Sequence, residues 1–180
     1  MDILITRWIN AFAGRHPFSD NVMIWITTFG VPVMVGLVAL QWFAKKERPH
    51  LRFVAICAGL SFLLGLAINQ GLLFAIHRAR PYDVGVSHLL IPPSLDWSFP
   101  SDHATAVAAI AMAFALARLP SRAWAFFGMA ALVSLSRIYV GTHYATDVVG
   151  GAATGILAAI LVPLIYREDS RLNQFAIKLM

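Results

Sequence analysis

The chain has 180 residues, of which 59% are hydrophobic and only 13% charged, and its mean hydropathy is +0.71. A soluble domain carries about 25% charged residues, so the composition excludes one and points to an integral membrane protein with the length of a single domain. The net charge of +5 does not indicate nucleic acid, because the basic residues lie in short clusters between apolar runs, as topology signals do. The one cysteine, Cys57, lies inside an apolar run. It excludes an intramolecular disulfide and a cysteine-rich metal site.

Residues 2–13 are apolar on one side but too short to cross about 30 Å of hydrocarbon. They predict an amphipathic helix in the membrane interface, with Trp8 at headgroup level. Asp2 spoils the positive start that a signal peptide needs, and no small-residue cleavage pattern follows. Five apolar runs come next, at 21–43, 51–76, 103–119, 123–139 and 147–166. The second carries Asn69 and Gln70, which should face protein rather than lipid, and the fifth has Gly150, Gly151 and Gly155, which permit close helix packing. The predicted fold is therefore an all-α membrane bundle of about five transmembrane helices in one domain. Residues 1–19 form the interfacial helix, 20–166 the bundle and 167–180 a cytoplasmic tail.

The positive-inside rule orients this bundle. Lys45, Lys46, Arg48, Arg52, Arg118, Arg122, Arg167, Arg171 and Lys178 share one side, nine of the 14 basic residues, so that side is cytoplasmic. Three polar islands then share the outer face: residues 77–83, residues 98–103, and the stretch from Ser136 to Asp147. An ionisable group near a bilayer centre costs at least about 2.5–3.5 kcal/mol. Any one island has a structural reading, as snorkelling arginines or as a helix start capped by Ser101 or Asp102. Their convergence calls for chemistry.

That chemistry is phosphate transfer. Arg80 and Arg137 offer planar forks of donors suited to phosphate oxygens. Ser101 and the free N–H groups opening the third spanning helix would complete the cradle. His143 would attack phosphorus to give a phosphohistidine. Asp147, at i+4 from it on one helical face, would fix its tautomer and stabilise the imidazolium. His103 would protonate the leaving oxygen and then activate water. Such a site needs no metal or other cofactor, because the arginines stabilise the developing charge.

Arg80-Pro81, then Pro100-Ser101-Asp102-His103, then Ser136-Arg137 with His143 and Asp147, resemble the three-part signature of the type 2 phosphatidic acid phosphatase superfamily. The match spans residues 69–151. The resemblance implies a metal-independent membrane phosphatase acting on lipid phosphates, with His143 as nucleophile, Asp147 as its partner and His103 as acid/base. Arg80, Ser101 and Arg137 would be phosphate ligands, with Asp102 beside them in the same motif. Two positions depart from the family. Leu73 stands where its first motif has lysine, which leaves Arg78, or Asn69 and Gln70, to supply a polar group. Asp102 replaces a glycine. A lysine-poor first motif with Pro-Ser-Asp-His, in a small chain, is similar to the bacitracin-resistance type of undecaprenyl diphosphate phosphatase. It implies a polyprenyl diphosphate as substrate, a bacterial cell membrane and an outward-facing site that recycles the cell-wall lipid carrier. A phosphatidate, phosphatidylglycerophosphate or broad lipid phosphatase is the alternative within the same chemistry. The loop from residue 83 to 97, with His88 and Asp96, is the expected place for head-group selection.

Three other classes fit less well. A transporter would spread its charges along a path and show an inverted repeat, whereas these charges cluster at one interface. A metalloenzyme would draw on His77, His88, His103, His143 and Asp147, but Arg80 and Arg137 would repel the cation. A scaffold protein would have no use for His143.

Overall fold

The computed structural model describes residues 1–44 and 48–179, and among these every regular element is helical. The helices are α1 (Asp2–Asn10), α2 (Pro17–Gln41), α3 (Arg48–Ala75), α4 (Asp102–Leu116), α5 (Pro120–Tyr139), α6 (Ala145–Ile165) and α7 (Arg171–Leu179). The five apolar runs are α2 to α6. The start of α2 moves earlier than hydropathy places it because Pro17 supplies the first helical turn, and Pro120 does the same for α5. Proline's fixed φ and missing N–H suit that position. The tail holds a nine-residue helix that a hydropathy reading does not show, residues 171–179, joined to the bundle where Tyr166 Oη donates to the buried Asn173 at 2.8 Å.

Helices α2, α3 and α6 are long and apolar enough to cross a membrane. At 1.5 Å per residue they measure about 37, 42 and 31 Å. Helix α4 is shorter, about 22 Å, and it is surrounded by α2, α3, α5 and α6. Its faces are accordingly apolar all round, as a central helix requires; Val107, Ile110 and Phe114 are buried with Met34, Val54 and Phe126 of its neighbours. On its α6 side the backbones nearly touch. A Cβ on Gly151 would strike the Ser101 carbonyl, and one on Gly155 the Thr105 carbonyl. Those two glycines let α6 pull the start of α4 inward.

The other end of the bundle carries the basic clusters. His50 Nδ1 lies 2.9 Å from Glu168 and its Nε2 3.3 Å from the Ala117 carbonyl, while Arg52 donates to Ile177 O at 3.3 Å. Arg48, Arg118, Arg122, Arg167 and Arg171 belong to the same helix ends. Lys45, Lys46 and the side chain of Lys178 lie outside the described residues. Helix α1 lies across the opposite end, beside α5 and α6. Its Asn10 Nδ2 donates to the His88 and Tyr139 carbonyls at 2.9 and 2.8 Å, and its Thr6 Oγ1 accepts from Ala145 N at 3.1 Å. Leu4 and Trp8 project outward, about two-thirds exposed. That is the pattern of a helix seated in a membrane interface.

Candidate active site

The turn between α5 and α6 sets the position of His143. Gly141 makes it possible: its φ is +84°, in the left-handed region, and a side chain there would collide with the His88 carbonyl. The chain then reverses, Thr142 Oγ1 caps the Arg137 carbonyl at 2.9 Å, and Tyr144 opens α6. His143 is left 3% exposed, facing a cavity of about 120 Å³.

That cavity brings the three sequence islands together. Arg80, Asp102, His103, Arg137 and His143 line it, with Ser94, Asp96 and Pro100 from the connecting loop. His143 Nδ1 lies 2.8 Å from the Ser98 carbonyl. A carbonyl only accepts, so this bond assigns the proton to Nδ1 and leaves the Nε2 lone pair free. Arg80 Nη1 approaches Nε2 at 3.4 Å. Burial, reinforced by the charges of Arg137 and Arg80 and opposed by Asp147, pushes the His143 imidazole down to about 4. At neutral pH it is therefore uncharged, the form that can attack an electrophile.

Asp147 reaches His143 differently from the direct bond expected. Its Oδ2 stands 3.7 Å from Nδ1, too far to hold the proton. Ser98 bridges the two, its carbonyl on the imidazole and its hydroxyl on Asp147. The carboxylate, fully buried, also accepts from Tyr144 N at 2.9 Å and from Arg78 Nη1 at 2.6 Å. It can still stabilise a positive imidazole electrostatically at that distance.

The two cavity arginines differ in how they are held. Arg80, 3% exposed, donates through Nη1 to the Thr142 carbonyl at 2.9 Å, through Nε to the Asp96 carbonyl at 3.0 Å and through Nη2 to the Asp96 carboxylate at 2.7 Å. Arg137, 6% exposed, donates to Thr27 Oγ1 at 2.6 Å, and its Nε is buried with no partner among the described residues. Ser101 Oγ is likewise buried and unpartnered. Ser101 caps α4 without a side-chain bond, so the first-turn N–H groups are free to meet an anion. Ser101 itself is not among the residues lining the cavity, although its neighbours Pro100 and Asp102 are. Two guanidinium groups on one small cavity, one with an unpartnered donor, suit an anion rich in acceptor oxygens.

The remaining residues singled out from sequence take supporting places. Asp102 Oδ1 accepts from Asn69 Nδ2 at 2.8 Å, and Asn69, fully buried, also bonds Thr105 and Thr154. Asn69 thus ties α3 to the start of α4 and the middle of α6. Arg78 lies beside Asp147 and Asp2 and outside the cavity lining; it does not take the place of the lysine missing at Leu73. Sequence reasoning gave no role to Ser98, Thr27 or Asp2. Ser98 stood inside a polar island, whereas Thr27 lies in an apolar run with nothing to mark it. Among the described residues no cluster of His, Cys, Asp or Glu is arranged to hold a metal ion.

The chain is similar to known proteins in sequence and in fold. Undecaprenyl-diphosphatase BcrC of Bacillus subtilis is 30% identical over 177 residues, 97% of this chain and 88% of that protein. The crystal structure of Aquifex aeolicus LpxE superposes with a TM-score of 0.74 at 26% identity, covering 89% of this chain and 93% of that one. A phosphatidylglycerolphosphate phosphatase structure from Bacillus subtilis gives 0.67 at 28% identity, over 94% and 86%. The model of the PAP2 superfamily matches residues 54–171, which include every residue of the cavity, and this multi-pass membrane protein belongs to that superfamily.

Proposed function

We propose that the cavity is the active site of a metal-independent phosphatase that removes the terminal phosphate of a polyprenyl diphosphate, undecaprenyl diphosphate in particular, at the outer face of a bacterial cell membrane. The observation that carries this reading is the buried His143, with Nδ1 occupied by the Ser98 carbonyl and Nε2 turned to buried Arg80, in a cavity that buried Arg137 also lines. His143 Nε2 attacks the terminal phosphorus as Arg80, Arg137, Ser101 and the start of α4 hold its oxygens. The bond to the bridging oxygen breaks, His103 gives that oxygen its proton, and the imidazolium is stabilised by Asp147. Water, deprotonated by His103, then attacks the phosphohistidine, releasing inorganic phosphate and restoring neutral His143. Asp102, tied to Asn69, borders the same phosphate.

An amphiphilic substrate also needs somewhere for its chain. An apolar crevice of about 260 Å³ lies between α2 and α5, lined by Trp25, Phe29, Val33 and Val133 among others. Val133, on its wall, is one helical turn from Arg137 of the polar cavity. The likeness to an undecaprenyl-diphosphatase over 97% of the chain favours the polyprenyl substrate. The likeness to a phosphatidylglycerolphosphate phosphatase keeps a glycerophospholipid as the second reading.

The test is phosphate release by purified protein in detergent with excess chelator, offering undecaprenyl diphosphate, phosphatidate and phosphatidylglycerophosphate in parallel. Chelator-resistant release that favours the diphosphate, and is abolished in a folded His143→Ala variant, is the expected outcome. Preference for another lipid would move the substrate and keep the chemistry. Turnover by His143→Ala would remove the nucleophile.

A further inference from the structure

Asp147 is placed by a residue outside the cavity. Its Oδ1 is gripped by Arg78 Nη1, and that guanidinium reaches with Nη2 to the carboxylate of Asp2 in α1. Arg78 lies past the end of α3, where no helical ladder fixes it. Its orientation depends on what its fork touches: Asp147, Asp2, the Thr146 hydroxyl at 2.7 Å and the Tyr144 ring 3.8 Å away. Asp2 holds the same corner from the other side. Its Oδ1 accepts from Thr146 N at 3.0 Å and its Oδ2 from Thr146 Oγ1 at 2.7 Å. A continuous chain therefore runs from Asp2 through Arg78 to Asp147, and from there through Ser98 to His143.

The two bonds of Asp2 to Thr146, in the first turn of α6, explain only part of an aspartate at this point. Helix α1 already has Asn10 and Thr6 to dock it, both buried. A carboxylate on the outer prong of Arg78 does something those residues do not. It keeps the guanidinium in the plane that presents Nη1 to Asp147. We infer that Asp2 is a positioning residue for the reaction, acting through Arg78 to hold Asp147 behind the His143–Ser98 pair. Helix α1 is then part of the catalytic framework as well as a surface anchor. This role rests on the reading of His143 as nucleophile.

The experiment is a double-mutant cycle on the full chain, with Asp2→Asn, Arg78→Gln and the pair, read as initial rates of phosphate release from undecaprenyl diphosphate and as thermal unfolding in the same detergent. Loss of an outer-shell partner commonly lowers activity 10–100-fold, and Asp2→Asn should lie near the low end, about tenfold in kcat. KM should stay within about twofold, as for an interaction felt mainly in the transition state. In the Arg78→Gln background, Asp2→Asn should produce no further loss, and Asp2→Glu should recover part of the rate in the wild-type background. A kcat at the wild-type level in folded Asp2→Asn overturns the inference. So do losses that multiply in the double variant, which would mean that the two residues act independently on stability. If Arg78→Gln does not fold, Arg78→Lys takes its place in the cycle with the same expectation. An inactive wild-type protein would instead remove the phosphatase reading itself.

Discussion

Replacing Arg137 by lysine tests the phosphate cradle at the residue whose donors are least committed. Arg137 uses one N–H on Thr27 Oγ1 at 2.6 Å, and its Nε is buried without a partner. Lysine keeps the charge but offers a compact ammonium on a flexible stem, so it cannot bond Thr27 and also present a fixed fork to two phosphate oxygens. If one charge-assisted bond to the transferring phosphoryl group is lost, the loss is about 1.5–3 kcal/mol. At 1.36 kcal/mol per decade, that is about 10- to 150-fold in kcat/KM. The assay is chelator-resistant phosphate release from undecaprenyl diphosphate, run beside thermal unfolding in the same detergent. The loss of the Thr27 bond will lower the melting temperature in either case, so the melt alone decides nothing. A folded Arg137→Lys protein with kcat/KM within about twofold of wild type, far short of the bond energy at stake, would refute the cradle and make Arg137 a structural anchor for α2.

Two further outcomes follow from the same geometry. The His143 imidazole, pushed down to about 4 by burial, stays neutral well below the usual histidine range of about 6.5. Its reaction with an imidazole-directed acylating reagent should be flat from neutral pH to about 5 and halve near 4; a midpoint near 6.5 would show the ring to be solvated. The sign for stability follows: a depressed folded value means the stabilising share of neutral His143 is full above about 6.5 and is lost as pH falls towards 4, so His143→Ala should flatten the melting temperature in that window. Separately, Gly151→Ala should destabilise by about 1–3 kcal/mol, the usual range for overpacking, because its Cβ would strike the Ser101 carbonyl. Thermal unfolding measures this; an unchanged midpoint would mean that α4 and α6 can separate freely.

Hydropathy made α2 to α6 legible because each contains an apolar run, three of them long enough to cross a membrane among the described residues, and its bounds moved where polar residues belong to helix ends. Pro17 and Pro120 open helices from outside their apolar runs. Helix α7 was hidden for a related reason: its residues alternate in polarity, and the segment is too short for a hydropathy window. The cavity was legible because chemistry forced charged residues into places where a bilayer penalises them. Arg80, His103, Arg137 and His143 stood out for that reason alone and do meet. What could not be read is the linkage between them. Ser98 contributes its carbonyl to His143, and a carbonyl has no sequence signature. Thr27 and Asp2 come from helices more than a hundred residues away from their partners Arg137 and Thr146. Only the fold supplies such pairs.

The counter-ions explain how the site tolerates its own burial. A buried, unpaired guanidinium is strongly unfavourable, yet a guanidinium fully committed to a buried carboxylate would have nothing left for phosphate. Arg78 and Arg80 resolve this differently, while Arg137 has only the Thr27 hydroxyl as partner and no carboxylate among the described residues. Arg78 is committed, with Asp147 and Asp2 on its two prongs, and it lies outside the cavity. Arg80 is paired with Asp96, whose carboxylate is about half exposed at 51%. An exposed partner contributes little, about 0–1 kcal/mol at the median, because water competes for it. A phosphate group carries more charge and more acceptor oxygens than one carboxylate, so it can take Arg80 from Asp96 at small cost, and Asp96 can return to water. On the proposed reading, the loop from residue 83 to 97 supplies through Asp96 a replaceable anion on the cavity wall. Arg80 meets the Nε2 side of His143 and Asp147 the Nδ1 side, so the pair that would yield to substrate is separate from the pair that holds Asp147.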